Sequence, residues 1–208
     1  MNVLKFGGTS MGSEDSLRHI CEIIRQNYES GDIPVVVCSA MSGVTNLLLE
    51  MGDLAVEGNN TAVESLWEQI EQKHLSVAEA FGVATEVEEQ LRPLLEDLKG
   101  FLLGIARIRE LSERSLAYLA SFGERLSTRL LAEILKAQKL PAFQEDTKFI
   151  RTKGESYKCG EVDWERTKSE LNHALTPLLE QKNIPILTGF FGTNPEDLIA
   201  LLGWRGGS

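Results

Sequence analysis

The chain has 208 residues, enough for one domain with a substantial core. Its 42% hydrophobic and 25% charged residues suit a globular protein, and a formal net charge of −10 argues against a nucleic-acid binder, which usually carries a basic patch. Cys21, Cys38 and Cys159 form no CxxC pair, and His19, His74 and His173 are scattered, so neither a disulfide framework nor a His/Cys metal site is indicated. The start, "MNVLKFGG", has no apolar signal region. No apolar run approaches the roughly 20 residues of a membrane span. These features predict a protein with no membrane partner, in a reducing, cytoplasmic compartment.

The stretch "VLKF" (3–6) reads as a short buried strand that breaks into Gly7, Gly8, Thr9 and Ser10. Glycines after a strand let backbone N–H groups close on an anion. Lys5, on the strand, can place a point charge on a transferring phosphoryl group. The spacing matches neither a P-loop nor GxGxxG, and ordinary strand-to-helix turns also use glycine. Over 13–28, Leu17, Ile20, Cys21, Ile24 and Tyr28 recur at helical steps behind Ser13 as N-cap, and the start of that helix adds a positive dipole end. "IPVVVCSA" (33–40) is a second strand, so the first two strands are predicted to be parallel with a right-handed crossover. It too opens onto small polar residues: Ser39, Ser42, Gly43, Thr45 and Asn46. Ligands of open α/β sheets lie beyond the carboxyl ends of strands. For Ser42 and Thr45 the alternative is helix capping.

From about 45 to 138 the chain is nearly all helix-compatible, with Pro93 as its one proline. Leu66, Trp67, Ile70, Val77 and Phe81 fit one amphipathic helix, and Val87, Leu91, Leu94, Leu95, Leu98 and Leu102 another, with Gly82 and Gly100 near their ends. The run 115–138 predicts a further helix interrupted near "SFGE". Gly123 costs roughly 1 kcal/mol against alanine in a helix interior, so it marks a close approach or a helix start. Glu124 then points at a cation or amine, or else forms a solvated pair with Arg125 or Arg129. A weaker strand (141–146), a helix (about 162–182) and a third strong strand, "IPILTGFFG" (184–192), follow. The last residues, Arg205, Gly206, Gly207 and Ser208, read as a flexible tail, or through Arg205 as a bidentate clamp on a carboxylate. This order argues an α/β sandwich with a helical excursion.

Four stretches, in order and at matching spacing along all 208 residues, resemble the aspartate kinase family within the wider amino acid kinase fold. "KFGGTS" resembles its opening signature, "SAMSGVTN" its second loop and "SFGERLS" its Gly-Glu helix. "LTGFFGTN" followed by "LGWRGGS" resembles its Gly-Phe strand end and its Leu-Gly-Arg-Gly-Gly-Ser loop. The resemblance implies a three-layer α/β sandwich with a mostly parallel central sheet, and about 45–138 as a helical insertion. Residues 1–208 would be the N-terminal, substrate-binding part of the catalytic domain, with most of the nucleotide-binding half beyond Ser208. The implied reaction moves the γ-phosphoryl group of ATP to the side-chain carboxylate of L-aspartate, the first step toward lysine, threonine and methionine. Mg²⁺ would ride on the ATP phosphates, with no protein metal ligands.

By position, the resemblance gives Lys5 the transferring phosphoryl group, and lines the phosphates with Lys5, Phe6, Gly7, Gly8, Thr9 and Ser10. It places Ser39 and Thr45 in the aspartate pocket, Glu124 on the α-ammonium and Arg205 on the carboxylate, with Ser208 in the same pocket. The full-length enzyme would be a homo-oligomer. Trp204 is an extra residue in the last loop and is expected to move Arg205 out of register. The alternative is a non-catalytic remnant or interaction module. On either reading the chain alone is expected to show no turnover, and an uncovered sheet edge to promote self-association.

Overall fold

A computed structural model describes residues 2–203. Its first unit is β1 (Val3–Phe6), α1 (Glu14–Glu29) and β2 (Val35–Cys38), with the two strands parallel. Ser13 caps α1 by accepting from the Ser16 N–H, and Leu17, Ile20, Cys21 and Ile24 form its buried face. That is the helix predicted from the apolar spacing.

Four helices then fill the predicted excursion: α2 (Val44–Glu57), α3 (Asn60–Ala80), α4 (Ala84–Ile108) and α5 (Glu113–Ala137). Two expectations fail here. Gly100 does not end a helix, because α4 runs on to Ile108; Leu102 and Ile105 continue its buried stripe. That burial outweighs the roughly 1 kcal/mol a glycine costs. Nor is α5 interrupted at "SFGE": it is one helix of 25 residues through Gly123 and Glu124.

The chain returns through β3 (Ala142–Glu145), the short antiparallel pair β4 (Thr152–Lys153) and β5 (Glu161–Val162), and α6 (Trp164–Glu180). The third strong strand is not continuous. It is β6 (Ile184–Thr188), a turn at Phe190 with φ +67°, and β7 (Phe191–Thr193), which pairs antiparallel with β8 (Ile199–Leu201). A left-handed conformation at a non-glycine residue redirects the chain out of the main sheet.

The main sheet is all parallel, in the order β1–β2–β6–β3. One face (Val36, Cys38, Ile184, Ile186) packs on α1, α2 and α5, and those helices join α3 and α4 in one large core. The other face (Val35, Val37, Leu187) packs on Leu171, Ala174, Leu175 and Leu178 of α6. Helices, sheet and α6 make the three layers expected. His74 is buried in the helical core with Nδ1 2.7 Å from the Ile70 carbonyl, and burial lowers its pKa to about 4, so it is a neutral core residue.

Candidate functional site

The carboxyl ends of the parallel strands bring together the loop after β1, the segment 39–42 after β2 and the turn after β6. The ladder extends past β2, where the Ser39 N–H donates to the Phe6 carbonyl at 3.0 Å and the Gly189 N–H to the Cys38 carbonyl at 2.9 Å. Gly8 packs so closely on this segment that a Cβ there would lie 3.2 Å from the Ala40 carbonyl oxygen. Gly7 faces open space, as an anion-approaching glycine must. Lys5 lies in register with Val37, on the α6 face of β1, and is exposed; Thr9 and Ser10 are exposed as well.

The positive helix end at this site is not the one anticipated. The start of α1 is taken up by the Ser13 cap and by Glu14 and Asp15 in its first turn. The N-terminus of α2 has Gly43 at the cap (φ +82°), no capping side chain and no acidic residue in its first turn. Ser42 and Thr45 therefore do not cap α2, which overturns the alternative for both. An uncapped helix start offers N–H groups and a positive dipole to an anion. Thr45 sits in that first turn, half-buried.

α5 closes the site from below. Gly123 lets it touch the strand end: a Cβ there would sit 2.7 Å from the Ala40 Cβ and 3.7 Å from the Thr45 hydroxyl. The next residue, Glu124, is 3% exposed. Its Oε1 accepts the Ala40 N–H at 3.2 Å, while Oε2 is buried with no partner. Burial pushes this carboxyl up to about 7, with the Ala40 N–H acting in the opposite direction. The solvated pairing with Arg125 or Arg129 is overturned, because both guanidinium groups turn to Asp146, at 3.5 and 3.1 Å. A buried carboxylate with one free oxygen has the chemistry to pair with a cation, or is held protonated without one.

The structure thus draws Phe6, Gly8, Ser39, Thr45 and Glu124 toward one strand end, with Lys5 on the adjoining strand. Arg205 and Ser208, with Trp204, lie outside the described residues. Three features went unnoticed in the sequence. Ser127, fully buried, donates to the Ser39 carbonyl at 2.8 Å. Thr147 and Thr188 lock the ends of β3 and β6 through a 2.6 Å hydroxyl contact. The strained Phe190 turn borders the same ends. Small hydroxyl residues give no periodic signal, and a phenylalanine with positive φ has no sequence marker. Among the described residues no cluster of three or more His, Cys, Asp or Glu side chains is placed to hold a metal, and no helix is long and apolar enough to cross a membrane.

The chain is similar to aspartokinase 2 of Arabidopsis thaliana, a chloroplastic protein, at 35% identity over 99% of this chain and 38% of that one. It is 30% identical to the aspartokinase of Chlamydia muridarum over 99% of its own length and 43% of that protein's. Its fold superposes on E. coli aspartokinase III in complex with aspartate and ADP with a TM-score of 0.87 and 27% identity, covering all of this chain and 44% of that one. The chain therefore spans about four tenths of these relatives. The sequence pattern of the amino acid kinase family, by contrast, matches residues 1–208 throughout, and the chain belongs to that family.

Proposed function

We propose that this chain is the substrate-binding part of an aspartate kinase catalytic domain, serving transfer of the γ-phosphoryl group of ATP to the side-chain carboxylate of L-aspartate. The observation that carries the reading is Glu124: a buried carboxylate with one oxygen fixed by Ala40 and the other unpartnered, beside an uncapped helix start. A zwitterion with a second carboxylate needs both features. Glu124 Oε2 takes the α-ammonium, and that cation favours the ionised form which burial opposes. Ser39, Thr45 and Ser208 line the pocket, and Arg205 takes the carboxylate unless the Trp204 insertion shifts it out of register.

The residues present fit a nucleotide triphosphate on the β1 side, where Gly7 is open and Lys5 exposed. ATP supplies the phosphoryl group when bound, and Mg²⁺ arrives on its phosphates. Lys5 offsets charge on the transferring group, and Phe6, Gly7, Gly8, Thr9 and Ser10 line the phosphates. Phosphoryl transfer asks for this positioning and charge neutralisation more than for covalent help. We place the protein in a reducing compartment such as the cytoplasm and expect the complete enzyme to be a homo-oligomer.

Calorimetric titration of the chain with L-aspartate tests the substrate assignment. Saturable binding is expected, at least tenfold weaker in Glu124→Gln and absent for succinate, which lacks the ammonium. Equal affinity for succinate overturns the assignment. A second reading, a non-catalytic module, draws on the four-tenths span of its relatives. Aspartyl phosphate is an acyl phosphate, so hydroxylamine traps it as a hydroxamate. We expect none from the chain alone; ATP-dependent hydroxamate lost in Lys5→Ala would eliminate the non-catalytic reading.

A further inference from the structure

The peptide group between Ser39 and Ala40 is held at both ends by α5. Its N–H donates to Glu124 Oε1 at 3.2 Å, and its carbonyl accepts from the Ser127 hydroxyl at 2.8 Å. In a planar trans peptide these two groups point in opposite directions. Glu124 and Ser127 are three residues apart, about one turn of α5, so both reach the same strand end from one face of the helix. The Ser127 hydroxyl is 3.1 Å from the Glu124 carbonyl of its own helix, and a serine mid-helix commonly settles for that local bond. Here the shorter contact is the one that leaves the helix. Gly123 brings the helix near enough for this, and Gly8 packs closely on the Ala40 carbonyl oxygen.

We propose that Ser127 is a positioning residue: by fixing the Ser39–Ala40 peptide it aims the Ala40 N–H at Glu124 Oε1 and so leaves Oε2 facing the ligand. Rotating that peptide breaks both bonds together. Without the hydroxyl the carbonyl is free to turn, the N–H leaves Oε1, and the carboxylate loses the bond that orients it. The step from an oriented Glu124 to aspartate affinity rests on the function proposed above; the step from Ser127 to the peptide does not.

Amide hydrogen exchange by NMR on the whole chain separates the two. In Ser127→Ala the Ala40 amide is expected to exchange at least about tenfold faster, while interior α5 amides such as Leu130 and Leu131 keep their rates. An Ala40 amide that speeds up no more than those of α5 makes Ser127 a packing residue and overturns the proposal. Ser127→Cys, nearly isosteric with a poor donor, gives the same reading if the alanine variant does not fold. L-aspartate affinity is expected to fall about fivefold or more in the same variants and to recover in Ser127→Thr, which keeps the hydroxyl. A freed Ala40 amide with unchanged aspartate affinity also overturns it. A wild-type chain that binds no aspartate refutes the substrate assignment and leaves the exchange result to decide the clamp.

Discussion

On the proposed function, ligand binding and stability pull in opposite directions at Glu124. Its carboxyl is held near 7 in the folded chain by burial, against an ordinary value of 4.5. Between these values the folded state keeps a proton that the unfolded state has lost. The stability this proton provides is complete below about pH 4.5 and is lost as pH rises through 7. A shift of this size corresponds to about 3 kcal/mol. Glu124→Gln removes the ionisation, so its melting temperature is expected to exceed that of the wild type by several degrees at pH 8 and to match it near pH 5. Thermal unfolding followed by circular dichroism at the two pH values measures this, and an equal difference at both would mean that Glu124 is not the buried titrating group. Aspartate binding runs the other way: only the ionised form pairs with an ammonium, so affinity is expected to rise from pH 6 to pH 8. The sequence marks Glu124 as odd, because a Gly-Glu pair sits in an otherwise apolar helical run. It does not mark Ser127, since a serine one turn later is unremarkable until its partner across the chain is known.

At the level of elements, α5 shows how one missing methyl connects helix and sheet. Propensity alone says that Gly123→Ala stabilises a helix interior by roughly 1 kcal/mol. Contact says otherwise, because the new Cβ would lie 2.7 Å from the Ala40 Cβ, inside any real carbon–carbon contact. Overpacking of this kind costs about 1–3 kcal/mol. The net expectation is a loss of up to about 2 kcal/mol in urea unfolding, together with weaker aspartate binding as the strand end is pushed away. A variant more stable than the wild type would show that α5 and the β2 end are not in tight contact. Elements with a long buried stripe were legible: Leu17, Ile20, Cys21 and Ile24 announce α1, and Val87 to Leu102 announce α4. Those two or three residues long were not. β4, β5 and β8 have no periodicity to read; they are fixed by tertiary partners, as when the Leu201 N–H donates to the Tyr157 carbonyl and its own carbonyl accepts from Gly160. Which helix start is left uncapped was also hidden, because it turns on Gly43 adopting a left-handed cap and on Ser13 already serving α1.

The molecule as a whole exposes the two outer strands of its sheet. β1 and β3 flank the order β1–β2–β6–β3, so among the described residues each has a main-sheet neighbour on one side only. α6 covers the middle of one face, over β2 and β6. On that same face Val3, in register with Val35, is 63% exposed, and Phe143, in register with Pro185, is 43% exposed. Unpaired backbone beside an exposed apolar side chain is a template for association. Two features oppose it: the strands are only four residues long, with Lys5 on the β1 edge, and the chain carries a net charge of −10. Like-charged copies repel over about 10 Å at 0.1 M salt and about 3 Å at 1 M. If apolar edges drive association against that repulsion, sedimentation should show oligomers that increase with protein concentration and with salt. Ion pairing between copies would weaken with salt instead. Val3→Lys is expected to shift the population toward monomer without changing the circular dichroism, and Phe143→Lys to do the same for the opposite edge. A monodisperse monomer at high concentration and high salt would mean that the short strands and the lysine are enough to keep the edges apart.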